Sequence, residues 1–219
     1  MKDLRAIKGK YLLHQLIAEG EHETQDFKYA ISDARKIARS ISAFANNRGG
    51  RLLIGVKDNG VIAGVKNEED IYVIEQAASM YCRPAQKLRF TAIKAEDGLV
   101  VIRADIDPCT ARGVQAREPD GRWRAYYRVA DENIMATPLM VKAWRHKSSG
   151  TPALITIGRS ENLLLKLIAD SQSVTFDEYV RHSHLSIEAA TSAVVNLYST
   201  DMIGFVYEAR EFRIALCGE

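Results

Sequence analysis

An amphipathic helix that stops at two glycines and runs straight into an apolar strand constrains this chain more than any other feature. Ala34, Ile37, Ala38, Ile41, Phe44 and Ala45 recur at helical spacing, which predicts one buried stripe. Ser32 offers an N-cap at its start, because a serine oxygen accepts an orphan backbone N–H. Asn47-Arg48-Gly49-Gly50 ends the helix near Asn46, the glycines being free to take positive φ. The period then changes from helical to extended. Arg51 to Val56 reads as a strand, Asp58-Asn59-Gly60 as a tight turn and Val61 to Val65 as a returning strand, so a hairpin is expected.

The flanking elements follow the same logic. Lys10 to Ala18 is expected to be helical and to end at Gly20, and Thr24 to Tyr29 alternates as a short strand. A helix from Glu68 to Cys82 is expected to stop before Arg83-Pro84. Leu88 to Lys94 and Leu99 to Asp105 pair across Asp97-Gly98, Arg122 to Val129 adds a strand, and Pro138 to Trp144 a helix. Hairpins mixed with helices imply an α+β fold with mixed and antiparallel pairing, not a doubly wound parallel sheet.

The pattern changes after Lys147-Ser148-Ser149-Gly150-Thr151-Pro152. Helices are expected over Glu161 to Ala169, Thr175 to Arg181 and Ser186 to Tyr198. Strands follow over Ile203 to Tyr207 and Glu211 to Leu216, turned by Glu208-Ala209-Arg210. Three helices and a hairpin in this order predict a small winged helix-turn-helix domain. The expected organisation is a domain over 1–147, a linker over 148–158 and a winged-helix domain over 159–219.

Composition narrows the function. Hydrophobic residues at 47% and charged residues at 26% argue for a globular chain. No apolar run approaches the ~20 residues that span a bilayer, and the N-terminus lacks a signal-peptide core, so the expectation is a cytoplasmic protein with no membrane partner. Cys82, Cys109 and Cys217 lie too far apart for a zinc motif, and His182 and His184 lack further ligands. The net charge of +2 is uneven. Residues 1–150 carry 25 Lys and Arg against 19 Asp and Glu, net +6, and residues 151–219 carry 5 against 9, net −4. A polyanion is drawn to the first segment and repelled by the second.

Three motifs carry a resemblance. Glu21-His22-Glu23-Thr24-Gln25-Asp26-Phe27-Lys28, then Ser42-Ala43-Phe44-Ala45-Asn46-Asn47-Arg48-Gly49-Gly50, then Leu53-Ile54-Gly55-Val56-Lys57-Asp58 resemble the ES-x-x-x-EFK, SAFAN-x-x-GG and IGV-x-D segments of the Schlafen AlbA-like domain family. The resemblance covers roughly residues 10–145. It implies nucleic-acid association. Through the eukaryotic members it also implies three carboxylates of an RNA-cleaving core, at Glu21, Asp26 and Asp58. Asp26 stands where the pattern has Glu, and His22 where it has Ser. Converging, the three would hold Mg²⁺ or Mn²⁺ and make the chain a metal-dependent endoribonuclease. Standing apart, they are solvated or capping acids, and Asp58 suits a hairpin turn for its own reasons. Some family members are labelled ATP-binding, but this chain has no GxxxxGK[ST] phosphate loop.

Cations cluster around the same motifs. Lys28, Arg35, Arg39, Arg48, Arg51 and Lys57 are candidate phosphate ligands. Asn47-Arg48-Gly49-Gly50 is either a backbone cradle for a phosphate or a plain helix cap. On the strand from Arg122, strand period puts Arg122, Arg124, Tyr126 and Arg128 on one face, and Trp123, Ala125, Tyr127 and Val129 on the other. The arginine face is expected to meet nucleic acid and the aromatics Trp123 and Tyr127 to enter the core. The third helix of the C-terminal segment has no Lys or Arg, so dimerisation or protein contact suits that unit better than DNA reading. Three functions remain open on this basis: a nucleic-acid-binding protein, including a DNA-binding transcriptional regulator; the metal-dependent endoribonuclease; and a protein-interaction or dimerisation module.

Overall fold

The computed structural model describes residues 6–29, 31, 33–65, 69–95, 98–109, 113–149 and 157–218. It has a mixed α+β architecture and divides into two compact units, Met1–Ala136 and Thr137–Glu219.

The first unit runs β1 (Ile7–Lys8), α1 (Lys10–Glu19), β2 (Gln25–Lys28), α2 (Ala34–Ala45), β3 (Gly50–Ile54), α3 (Glu69–Met80), β4 (Cys82–Arg83), β5 (Leu88–Lys94), β6 (Val100–Ile106), β7 (Gln115–Arg117), β8 (Trp123–Val129) and β9 (Glu132–Met135). A five-stranded sheet has the order β1-β5-β6-β3-β2, and a four-stranded sheet the order β4-β7-β8-β9. The β5–β6 pair forms as expected, with Leu88 opposite Ile106 and Lys94 opposite Val100.

The expected hairpin after β3 is reduced to its turn and one antiparallel bridge, with Lys57 N–H donating to Val61 O at 3.0 Å. β3 pairs in parallel with β2, through α2 as crossover, and antiparallel with β6. The turn itself is present, since Gly60 N–H donates to Lys57 O at 2.8 Å. Beyond it only Val56 and Ile62 form a bridge. Ala63 and Gly64 both donate to Gly55 O, and Val65 donates to Val100 O. Both edges of β3 are already occupied, so the returning segment finds no free ladder.

Both faces of the five-stranded sheet are covered, which is why β3 reads as a continuous apolar run. Leu52 and Ile54 join a core with residues of α2 and α3, and Leu53 joins Phe27, Ile93 and Val101 in another with Leu13 and Leu16 of α1. α2 is more buried than a single stripe. Every residue from Ile37 to Ala45 except Arg39 is buried, because α2 packs against β8 and β7 as well as the larger sheet. Its N-cap is Asp33, whose Oδ1 accepts Arg35 N–H at 2.9 Å; Ser32 lies outside the described residues. Gly49, at φ +77°, must be glycine: an added Cβ would lie 2.7 Å from Ile106 O.

The second unit runs α4 (Pro138–Ser148), α5 (Arg159–Ser171), β10 (Ser173–Val174), α6 (Phe176–Ser183), α7 (Ile187–Ser199), β11 (Ile203–Glu208) and β12 (Glu211–Leu216), with the sheet order β10-β12-β11. Side-chain caps start α6 and α7: Thr175 accepts Glu178 N–H, and Ser186 accepts Ala189 N–H. α4 packs on α7 and buries Met140, Ala143 and Trp144. Lys142, Arg145 and Lys147 therefore belong to this unit. With the division after Ala136, the first unit has 22 basic residues against 19 acidic, net +3, and the second 8 against 9, net −1. The charge asymmetry keeps its sign but is smaller than a boundary near Gly150 implies.

Candidate nucleic-acid interface

The structure brings two of the three candidate carboxylates together. Glu21 Oε1 accepts Phe27 N–H at 2.8 Å. Burial, and then a hydrogen bond shared with Asp26, hold the Glu21 carboxyl above its ordinary range. Asp26 is 4% exposed and already engaged: Lys28 Nζ lies at 2.7 Å, Arg128 Nη2 at 3.4 Å and Ser40 Oγ at 3.4 Å. Asp58 is exposed on the turn after β3. Among the described residues, which include all three acids, no group of three His, Cys, Asp or Glu side chains is placed to hold a metal ion. The donor set implied by the resemblance does not fit Mg²⁺ or Mn²⁺ here.

The candidate cations divide sharply by partner. Arg39 pairs with buried Glu118, Arg51 with Glu19 and Gln25 Oε1, and Arg124 and Arg122 with Asp120. Arg35 stacks over the Tyr81 ring at 5.1 Å, and its Nε has no hydrogen-bond partner among the described residues. Lys57, exposed, sits 5.2 Å from the Tyr29 ring, and Arg48 is exposed.

Arg128 is the largest departure from expectation. It is 1% exposed and lies over the Phe44 ring at 5.1 Å. It donates to Asn133 Oδ1 at 3.0 Å and to the backbone oxygens of His22 and Gln25 at 3.3 Å. The expected faces of β8 are thus reversed. Tyr126 and Arg128 point at α2, while Trp123 and Tyr127 remain partly exposed on the other side. A buried arginine is tolerated there because Asp26 and three oxygens satisfy it.

Behind Arg39 sits a closed network. Glu118, 4% exposed, accepts from Arg39 Nε at 3.0 Å and from the Tyr126 hydroxyl at 2.7 Å. Burial pushes the Glu118 carboxyl up, but the Arg39 and Tyr126 hydrogen bonds outweigh it and hold the group below its ordinary value. The same burial and the Glu118 bond push the Tyr126 phenol up to about 12.

Above this network opens a pocket of about 290 Å³, lined by Asp26, Lys28, Lys36, Arg39, Ser40, Tyr126, Arg128, Asp131 and Asn133. Four cations from β2, α2 and β8 meet two acids there, and Asp26 is already neutralised by Lys28 and Arg128. Lys36 is exposed and makes no ion pair among the described residues. Sequence reasoning passed over it. Its signal was available, since it lies three residues from Arg39 on the same helix.

The Asn46–Gly50 stretch caps α2, with Asn47 and Gly49 N–H both donating to Phe44 O at 3.0 Å, and its side chains form a clamp. Asn46 is fully buried and uses all four of its side-chain valences: Nδ2 donates to Val114 O at 2.8 Å and Tyr126 O at 2.9 Å, and Oδ1 accepts Gly113 N–H at 2.9 Å and Val114 N–H at 2.8 Å. Ser42 Oγ donates to Val114 O at 2.8 Å and accepts Tyr126 N–H at 3.0 Å, and Asn47 Nδ2 donates to Arg128 O at 3.0 Å. The motif ties the end of α2 to the smaller sheet and so fixes where β8 holds Tyr126 and Arg128.

The model of the Schlafen, AlbA_2 family matches residues 21–137, more than half of the chain. This chain belongs to the Schlafen AlbA_2 family. The match begins at Glu21 and closes just past β9, so it takes in the acid pair, the Asn46 clamp and the cationic pocket. Schlafen AlbA_2 domains are generally associated with nucleic acid. No curated protein matches the chain significantly. Among solved structures, the DIP2311 protein from Corynebacterium diphtheriae is similar over 91% of this chain and 37% of its own, at 18% identity and a TM-score of 0.45. The chain thus spans little more than a third of that protein's length. Among the described residues no helix is long and apolar enough to cross a membrane.

Proposed function

We propose that the chain is a nucleic-acid-binding protein whose first unit seats a backbone phosphate at the mouth of the pocket, on Lys36 with Lys28 and Arg39 beside it. The convergence of these cations on one polar pocket is the observation that carries the reading. A phosphate there exchanges condensed counterions for fixed cations, which supplies affinity without base contacts. Arg39 has 37% of its side chain exposed while its far side is held by Glu118, so it presents a positioned donor at little further entropy cost. Binding is favoured over metal-assisted cleavage because Glu21 and Asp26 spend their oxygens on each other, on Phe27 N–H and on cations, and Asp58 does not complete a ligand set.

The second unit is read as a winged helix-turn-helix that carries a protein contact, most simply a two-fold dimer of this chain. α7 has no Lys or Arg, and Arg213 on the wing is consumed by Glu178, Glu211 and Ser173. Such a dimer would place two pockets on one nucleic acid, as suits a cytoplasmic transcriptional regulator.

The test is fluorescence anisotropy with labelled RNA and DNA at low salt. Lys36→Glu is expected to weaken binding at least about tenfold, since it replaces an attraction to phosphate by a repulsion. Lys142→Glu, on α4, is expected to leave affinity within about twofold. Equal affinity of wild type and Lys36→Glu would remove the pocket from the interface.

A further inference from the structure

The reversed face of β8 has a consequence of its own. Residues directly opposite in an antiparallel ladder share a face, so the pairs Arg117–Trp123, Gln115–Ala125 and Arg83–Gln115 place these side chains together. Tyr127, two residues beyond Ala125, joins them. This is the side of the small sheet away from α2, because Cys82, Tyr126 and Arg128 occupy the α2 side. Trp123 and Tyr127 are partly exposed there, and Arg83 and Arg117 are exposed. Unlike Arg39, Arg51, Arg124 and Arg128, neither Arg83 nor Arg117 makes an ion pair among the described residues. Among the described residues, the acid on this face is Glu132, exposed at the opposite end of the sheet, opposite Val129.

We infer that this outer sheet face binds single-stranded nucleic acid, with bases stacked on Trp123 and Tyr127 and phosphates held by Arg83 and Arg117. The inference rests on the nucleic-acid reading above and adds the strandedness of the ligand. Four residues of extended strand separate the two rings by ~13 Å. Between them on the strand lies Ala125, itself 3% exposed, and each ring is partly exposed. Every base has a π-face, so such a surface takes single strands of any sequence, whereas a duplex keeps its bases in the stack. Charge complementarity selects the occupant: Arg83 and Arg117 make no ion pair among the described residues, and Arg117 lies directly opposite Trp123.

The chain has two tryptophans, and Trp144 is 1% exposed in the second unit. In a Trp144→Phe background, emission therefore reports Trp123 alone. Titration with oligo(dT) and oligo(U) is expected to quench it, and a duplex of equal length to quench it less. Trp123→Ala with Tyr127→Ala is expected to weaken single-strand binding about 5- to 150-fold per lost stack, with Trp123→Phe retaining most of it. Arg83→Glu with Arg117→Glu, both on exposed side chains, is expected to weaken single-strand binding and flatten its salt dependence. The inference is overturned if both double variants bind oligo(dT) and oligo(U) like wild type, while Lys36→Glu still loses binding; the broader reading then stands alone. If folded wild type binds neither single strands nor duplex at low salt, both fall together.

Discussion

Replacing Asn46 by leucine keeps the number and branching of side-chain heavy atoms and removes all four polar contacts of a fully buried amide. Gly113 N–H, Val114 N–H and Tyr126 O lose their Asn46 partner, while Val114 O retains the Ser42 hydroxyl. Leaving a buried backbone group unsatisfied costs about 1–3 kcal/mol. Three such groups, with partial relaxation of the 113–114 segment, give about 3–5 kcal/mol. That is a large share of the roughly 5–15 kcal/mol of a typical domain. Urea unfolding of the Trp144→Phe variant, followed by Trp123 emission, reads the first unit separately. With a slope of about 2 kcal/mol per molar, the midpoint should fall by roughly 1.5–2.5 M at unchanged slope. Ser42→Ala, which strips one donor and one acceptor, should fall by about half as much. A shift for Asn46→Leu equivalent to less than about 1 kcal/mol would refute the clamp and reopen the glycine turn as a ligand cradle.

Two further outcomes follow from the networks. The folded Glu118 carboxyl is held below its ordinary 4.5, so its ion pair stabilises fully above that value and is lost as pH falls through the lowered folded value. Glu118→Gln should be less stable at neutral pH and should flatten the acid limb of a stability-versus-pH curve; an unchanged acid limb would show the pair to be inert. In the second unit, Thr175→Ala removes the acceptor of Glu178 N–H and should cost about 1 kcal/mol, read as a lower thermal midpoint.

Local signals in the sequence carried far. The helix starts near Thr175 and Ser186, the glycine stop after α2 and the β5–β6 pair depend on near neighbours, and they lie where the residues suggest. What stayed hidden is long-range. Asp58-Asn59-Gly60 makes its turn, but no local rule reveals that β2 and β6 already occupy both edges of β3. Strand period separated the two faces of β8 correctly and could not say which one meets α2. Arg128 turns inward because Asp26, Asn133 and two backbone oxygens, distant in sequence, wait for it. Closeness to the motifs marked six of the candidate cations and strand period the other three, and neither signal reports pairing: Lys28, Arg39, Arg51, Arg122, Arg124 and Arg128 are internally paired. The three acids were linked by family resemblance alone, and only Glu21 and Asp26 meet.

The salt dependence of nucleic-acid affinity tests the central claim most directly. Log affinity against log salt should fall linearly in wild type, and Lys36→Glu should flatten the line by about 0.7 for a single strand or about 0.9 for a duplex, one phosphate contact each. A salt-independent affinity, or an unchanged slope in Lys36→Glu, would contradict the assignment of the pocket mouth as a phosphate seat.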